Sequence, residues 1–293
     1  MRKRILSSAL VGLCSGFYCW LLLVHFRLGA ADFGAAISAA RAILHHQNPY
    51  AAKLQLYPVP AALFGLPFVA LKPAVAGGIF FGISSALLAF GLLRSGYVYL
   101  LIFLAYPYWA AAITAQWSPL LMASSFFPIF MPFVLAKPQI GLPIALTHFK
   151  WHGFAICIAI LLLSILLMPN WPAQWKAHFG EYQYFIPIFV LPGPLLVLAL
   201  WRYKDRDAWF FVLAALMPQR WFYDAFILWL IPKTRREIVW TIFFSWGAGI
   251  VRWYWTPNSS AQVGRWVVFF FYLPMLIVII MRRNAERVPK FWN

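Results

Sequence analysis

The chain has 293 residues, of which 63% are apolar and 11% charged. Soluble domains run nearer to about 45–50% apolar and about 25% charged, so a soluble globular protein is excluded and an integral membrane protein is expected. The 24 Lys and Arg against 7 Asp and Glu give a net charge of +17, but these basic residues fall in short clusters between apolar runs. They read as topology signals and anionic-lipid contacts, and no nucleic-acid partner is expected.

In chain order, Met1 to Arg4 precede an apolar run over 5–26. That run is too long for the apolar part of a signal peptide, so it predicts an uncleaved first span with a cytoplasmic N-terminus. Over 31–46, Ile37, Ala40, Ile43 and Leu44 recur at helical spacing. They predict an amphipathic helix in the first outer loop, stopped at Asn48-Pro49. Further apolar runs lie at 57–71, 74–93, 97–115, 118–136, 138–149, 153–169, 186–201, 207–219, 221–232, 238–254 and 266–281.

If every run crosses, the basic residues at 2–4, 72, 150, 202–206, 233–236 and 282–290 fall inside, which is 15 of 24, as the positive-inside rule requires. Two pairs of runs, 118–136 with 138–149 and 207–219 with 221–232, are broken by polar residues beside Pro138 and Pro218. These are the candidates for short or re-entrant passes, and a hairpin over 207–232 keeps both flanking basic clusters on one side. The expected fold is an all-α polytopic transmembrane bundle of roughly 8–12 passes. It forms a single integral membrane domain over 1–293 with both termini cytoplasmic. Cys14, Cys19 and Cys157 sit inside apolar runs and read as apolar filling; no metal site is expected.

Ionisable groups at membrane depth are costly, so they are the first candidates for function. Alternation places Asp32, Glu181 and Asp224 on the outer side. Glu181, near Lys176 and His178, reads as a solvated loop charge, and Asp207 as a cytoplasmic helix cap. Asp32 opens the amphipathic helix and reads either as an N-cap or as a general base. His45 and His46, pointing about 100° apart on a helix, read as a polar helix end. Lys137, beside Pro138 and Gln139, is either a snorkelling lysine or a cation for an anionic group such as phosphate. Arg220 and Asp224, four apart, form a structural ion pair or take part in a site. Together Asp32, Lys137 with Gln139, and Arg220 with Asp224 suggest an outward-facing site for an anionic ligand. Neither a Walker loop nor a dinucleotide glycine fingerprint is present.

Four stretches resemble the polyprenyl-phosphate-hexose-dependent membrane glycosyltransferases of the C superfamily (GT-C), specifically family 87. They are Asp32-Phe33 with Ala39 to Leu44 and Asn48-Pro49-Tyr50; Tyr57-Pro-Val-Pro60; Gln116-Trp-Ser-Pro-Leu-Leu121; and Ala136-Lys-Pro-Gln-Ile-Gly-Leu142. The segment from Pro218 to Asp224 is a weaker match. The resemblance implies a GT-C bundle in a bacterial inner membrane, with Asp32 as the base of an inverting hexosyl transfer, mannose-like in the sugar. The donor would be a polyprenyl-phosphate sugar, the acceptor a glycan or glycolipid, and no other cofactor is implied. Lys137 and Arg220 are candidates for the leaving phosphate, with Gln139, Asp224, Tyr50 and Tyr57 as further substrate-binding residues. Two other classes compete: a transporter or flippase for a lipid-linked or anionic solute, and a noncatalytic membrane subunit in which Asp32 is only a cap. Alternation puts Gln116 on the cytoplasmic side, whereas the resemblance brings its segment toward the site.

Overall fold

The computed structural model describes residues 1–51 and 56–282, so the basic tail at Arg283, Arg287 and Lys290 lies outside the described residues. The described residues are helical without a β-strand; one isolated antiparallel bridge joins Phe185 to Gln219. Three helices are long and apolar enough to cross a membrane, Arg2–His25, Pro73–Leu92 and Ser260–Met281. A fourth candidate arises if Trp151–Leu167 and Trp171–Glu181, bent by 89°, are taken as one span. These mark a membrane protein. The other apolar runs are shorter or broken, because prolines such as Pro107, Pro119, Pro132 and Pro143 open or interrupt their helices.

Helix α1 (Arg2–His25) leads through a turn to α2 (Ala31–Leu44), the helix expected in the first loop. Phe33, Ala36, Ile37 and Ala40 form its buried face, but Leu44 is exposed, at the last turn. The short helix α3 (Val59–Gly65) folds back on α2. A Cβ at Gly65 would lie 2.6 Å from the Ala36 carbonyl oxygen, and the Arg41 guanidinium donates to the Val69 carbonyl at 2.8 Å. The chain then enters α4 (Pro73–Leu92), which runs antiparallel to α1. Leu23 lies against Gly77, Gly16 against Gly78 and Gly82, and Gly12 against Ala86; Arg4 Nε donates to the Phe90 carbonyl at 2.9 Å.

The start of α4 therefore sits at the Asp32 end of α1, and its finish sits at the Arg4 end. The run over 57–71 does not traverse the fold, which overturns its reading as a pass. Lys72, expected inside, lies at the Asp32 end, and Arg94, expected outside, lies at the Arg4 end. The α1–α4 seam relies on small residues at four-residue spacing, the usual device where apolar solvent gives helices no hydrophobic drive to associate. A Cβ at Gly82 would meet the Gly12 carbonyl oxygen at 2.9 Å and Gly16 Cα at 3.1 Å. Gly82→Leu is accordingly expected to destabilise the protein by about 1–3 kcal/mol, read as a lowered thermal midpoint; an unchanged midpoint would show that the seam relaxes freely.

The next segment traverses in two pieces, the 3-10 run Tyr97–Leu104 and α5 (Tyr106–Ile113). Tyr99 donates its hydroxyl to the Lys233 carbonyl at 2.6 Å at one end, and the Thr114 carbonyl accepts from the Asp32 amide at 3.1 Å at the other. Helix α6 (Ser118–Ser124) leads back along α4 until Phe126 meets Gly91 and Phe127 stacks on Phe90. The 3-10 run Pro128–Leu135 then returns, with Phe133 against Phe64 of α3. The apolar run over 118–136 is thus a hairpin and not a single pass, so Gln116 and Lys137 emerge at the same end. This departure cancels the missing crossing at 57–71, and the chain direction after Lys137 matches simple alternation.

Beyond it lie α7 (Pro138–Thr147), α8 (Trp151–Leu167) and α9 (Trp171–Ala177). After the 3-10 run Gly193–Arg202, α10 (Arg206–Leu216) and the 3-10 run Phe222–Leu230 make the second hairpin. Its two feet are clamped together, as the sequence reading required. Lys233 Nζ lies 3.3 Å from Asp207. Arg282 bridges Asp207 at 2.8 Å, Asp205 at 3.6 Å and Glu237 at 3.3 Å. The cap of α10 is Asp205, which accepts from the Asp207 amide at 2.9 Å, so Asp207 is a clamp residue and not the cap. A capping box of Thr234 and Glu237 starts α11 (Arg235–Tyr254). The final pass joins α12 (Ser260–Val267) through a π-helical stretch to α13 (Leu273–Met281).

Candidate functional site

Asp32 lies in the first turn of α2, but the N-cap position is Ala30 and no side chain caps that end. Ala31 has a left-handed φ of 46°, a conformation costly for a residue with a Cβ. The Asp32 carboxylate turns inward. Its Oδ2 accepts from the Tyr57 hydroxyl at 3.1 Å and, in a short contact, from Gln116 Nε2. Ala115, immediately before Gln116, is left-handed as well, with φ 47°. Burial first, and then the Asp32 carboxylate, push the Tyr57 phenol well above its ordinary range. It therefore donates as a neutral hydroxyl.

Lys137 opens α7 at its N-cap position, with a side chain only 2% exposed. Its Nζ donates to Gln116 Oε1 at 2.8 Å and to Asp224 Oδ1 at 2.7 Å, and lies 3.9 Å from Asp32 Oδ2. The ammonium also sits 4.9 Å above the centre of the Tyr223 ring. Lys137 is thus neither a snorkelling lysine nor a cation open to a ligand. Asp224 is fully buried, and its second oxygen accepts from the Arg220 backbone amide at 2.8 Å. The expected Arg220–Asp224 side-chain pair does not form among the described residues, because 217–221 is not helical and Asp224 is taken by Lys137.

The released Arg220 side chain is exposed and lines a cavity of about 420 Å³ together with Asp32, Thr114, Gln183, Tyr223, Asn258 and Ser259. A second cavity of about 380 Å³ is lined by Leu56, Pro138, Gln139, Trp175, Phe179, Tyr182, Tyr184 and Met217. The wall between them is one chain thick on each side of the Phe185–Gln219 bridge. Along 182–184 the side chains alternate, Tyr182 and Tyr184 lining the aromatic cavity and Gln183 the Asp32 cavity, as extended backbone dictates. Across the bridge, Met217 and Pro218 line the former and Arg220 and Trp221 the latter.

Asp32, Tyr57, Lys137 and Asp224 thus share one hydrogen-bonded network, and Arg220 joins Asp32 in its cavity. Gln139 stands apart, donating to the Tyr182 hydroxyl at 3.2 Å on the aromatic side. Tyr50 does not reach the cavity; it is buried, donates to the Tyr57 carbonyl at 3.1 Å and stacks on His178. Glu181 faces His178 at 3.3 Å. Gln116, fully buried at the centre of the network, was misplaced by alternation, and the motif containing it was the one signal toward its true position. Nothing in the sequence singled out Gln183, Asn258, Ser259 or Tyr223. No family model, curated protein or solved structure matches the chain.

Proposed function

We propose that the protein is a polytopic membrane glycosyltransferase of GT-C type, transferring a hexose from a polyprenyl-phosphate donor to a glycan or glycolipid acceptor. The observation that carries this reading is the pairing of Asp32 with Arg220 on one cavity. Oδ2 of Asp32 is held by two donors, while Oδ1 accepts no hydrogen bond among the described residues. An acceptor hydroxyl beside Oδ1 would lose its proton there as its oxygen attacks the anomeric carbon. The bond from that carbon to the phosphate oxygen breaks, with inversion, and the phosphate gains charge beside the Arg220 guanidinium. Lys137, spent on Gln116 and Asp224, leaves this role to Arg220.

Sidedness follows from charge. The end opposite Asp32 carries Arg4, Arg94, Arg202, Lys233 and Arg282, a bias that under the positive-inside rule supports a cytoplasmic side there and an outward-facing cavity; the bacterial inner membrane is what the resemblance implies. A donor carried on an isoprenoid chain reaches such a cavity from the bilayer without a nucleotide-binding domain. The two hairpins that meet at the Lys137–Asp224 pair also suit a transporter, and one assay separates the readings. Purified protein is given radiolabelled polyprenyl-phosphate hexose and membrane glycolipid acceptors. Transfer is expected from the wild type, with a loss on the order of 10²–10⁴-fold in Asp32→Asn. Equal transfer by the variant removes Asp32 as the base, and donor movement across vesicles without transfer favours the transporter.

A further inference from the structure

We infer that Gln116 is a positioning residue for Asp32 and that Lys137 acts on Asp32 by fixing which way the Gln116 amide points. The inference rests on Asp32 being the base proposed above. An amide carries a donor and an acceptor on atoms of nearly equal size, so its direction is decided by its neighbours. Here the neighbours leave one choice. Lys137 Nζ is a donor without acceptor capacity and lies 2.8 Å from Oε1, which turns Nε2 toward Asp32 Oδ2. The reversed amide would set Oε1 against a carboxylate and the NH2 against an ammonium, two repulsions at a fully buried side chain.

The lysine is itself held in place. Asp224 draws it from the other side at 2.7 Å, and Asp224 is fixed by the Arg220 amide at 2.8 Å. The chain of bonds therefore runs from the tip of the second hairpin, through the mouth of the first, to the carboxylate on α2. With Tyr57, Gln116 occupies Oδ2 and leaves Oδ1 toward the cavity.

The test needs no turnover, so it stands or falls apart from the proposed reaction. A hydrophobic carbodiimide modifies carboxyl groups in their protonated form, and its rate of addition to Asp32 can be followed by peptide mass spectrometry on the full-length protein at fixed pH. Removing the amide donor while keeping the acceptor for Lys137, as in Gln116→Glu, is expected to raise that rate at least tenfold, as is Gln116→Met. The pair Lys137→Met with Asp224→Asn, which removes the lysine without stranding a buried acid, is expected to raise it to the same extent. Added to Gln116→Met, that pair is expected to add less than Gln116→Met does alone, the remainder coming from the Lys137 ammonium 3.9 Å from Asp32 Oδ2. An unchanged rate in both Gln116 variants overturns the positioning role. A further rise in the triple variant as large as that from Gln116→Met shows that Lys137 acts on Asp32 mainly through its charge and not through the amide. In the transfer assay, the Gln116 variants are expected to lower kcat while KM holds; inactivity of the wild type would count against the proposed reaction and leave the labelling result standing.

Discussion

Lys137→Met is expected to destabilise the protein by about 3–5 kcal/mol, the cost of leaving one member of a buried ion pair uncompensated. Asp224 is fully buried, and without Lys137 its carboxylate keeps the Arg220 backbone amide at 2.8 Å as its one hydrogen bond among the described residues. Neither water nor another side chain substitutes cheaply at that depth. Removing both charges, Lys137→Met with Asp224→Asn, is expected to recover most of the loss, because replacing a buried pair by neutral groups is often neutral or stabilising. Reversible unfolding of purified protein gives both numbers. A single variant as stable as the double would show that Asp224 is not held by Lys137.

An effect of similar size is expected at the opposite end of the fold. Arg282→Met removes the group that joins Asp207, Asp205 and Glu237, and with it a donor to the Ile231 carbonyl at 2.8 Å. Three carboxylates then share the feet of the second hairpin with fewer cations. The expected loss is again about 3–5 kcal/mol. Arg282→Lys is expected to recover only part, since an ammonium lacks the planar fork that reaches several partners at once. Limited trypsin digestion at Arg235 and Arg236 provides a second reading: cleavage is expected to accelerate as the feet separate. Resistance equal to the wild type would show that helix packing alone holds the hairpin.

What the sequence revealed and what it hid have separate physical causes. The span at α1 and the all-helical class follow from composition, and the cost of ionisable groups at membrane depth was enough to single out Asp32, Lys137 and Asp224. Hydropathy records that a segment avoids water; it does not record whether the segment crosses or turns back. For that reason 57–71 reads as a pass and 118–136 as one arm of a short or re-entrant pair, while alternation and the resemblance put Gln116 on opposite sides. Asp32 was readable as a cap because capping needs only a short polar side chain at a helix start. The left-handed Ala31 places it inside the first turn instead, and Tyr57 and Gln116 hold it there. Arg220 and Asp224 were spaced as helical neighbours, yet the 3-10 run starts only at Phe222, after an extended Trp221, so the Asp224 carboxylate meets Lys137 and the Arg220 backbone amide while the Arg220 side chain lines the cavity.

The cancelling of the two departures from alternation has a practical consequence. A reporter enzyme fused at the N-terminus, or at loops between Lys137 and Arg282, would give the same sidedness for simple alternation and for the observed path, however many such fusions were made. Discrimination is confined to the window from about Lys72 to Gln116, where the two paths are inverted. Within it, accessible-residue labelling at Lys72 and at Arg94 should report opposite compartments from those that hydropathy assigns.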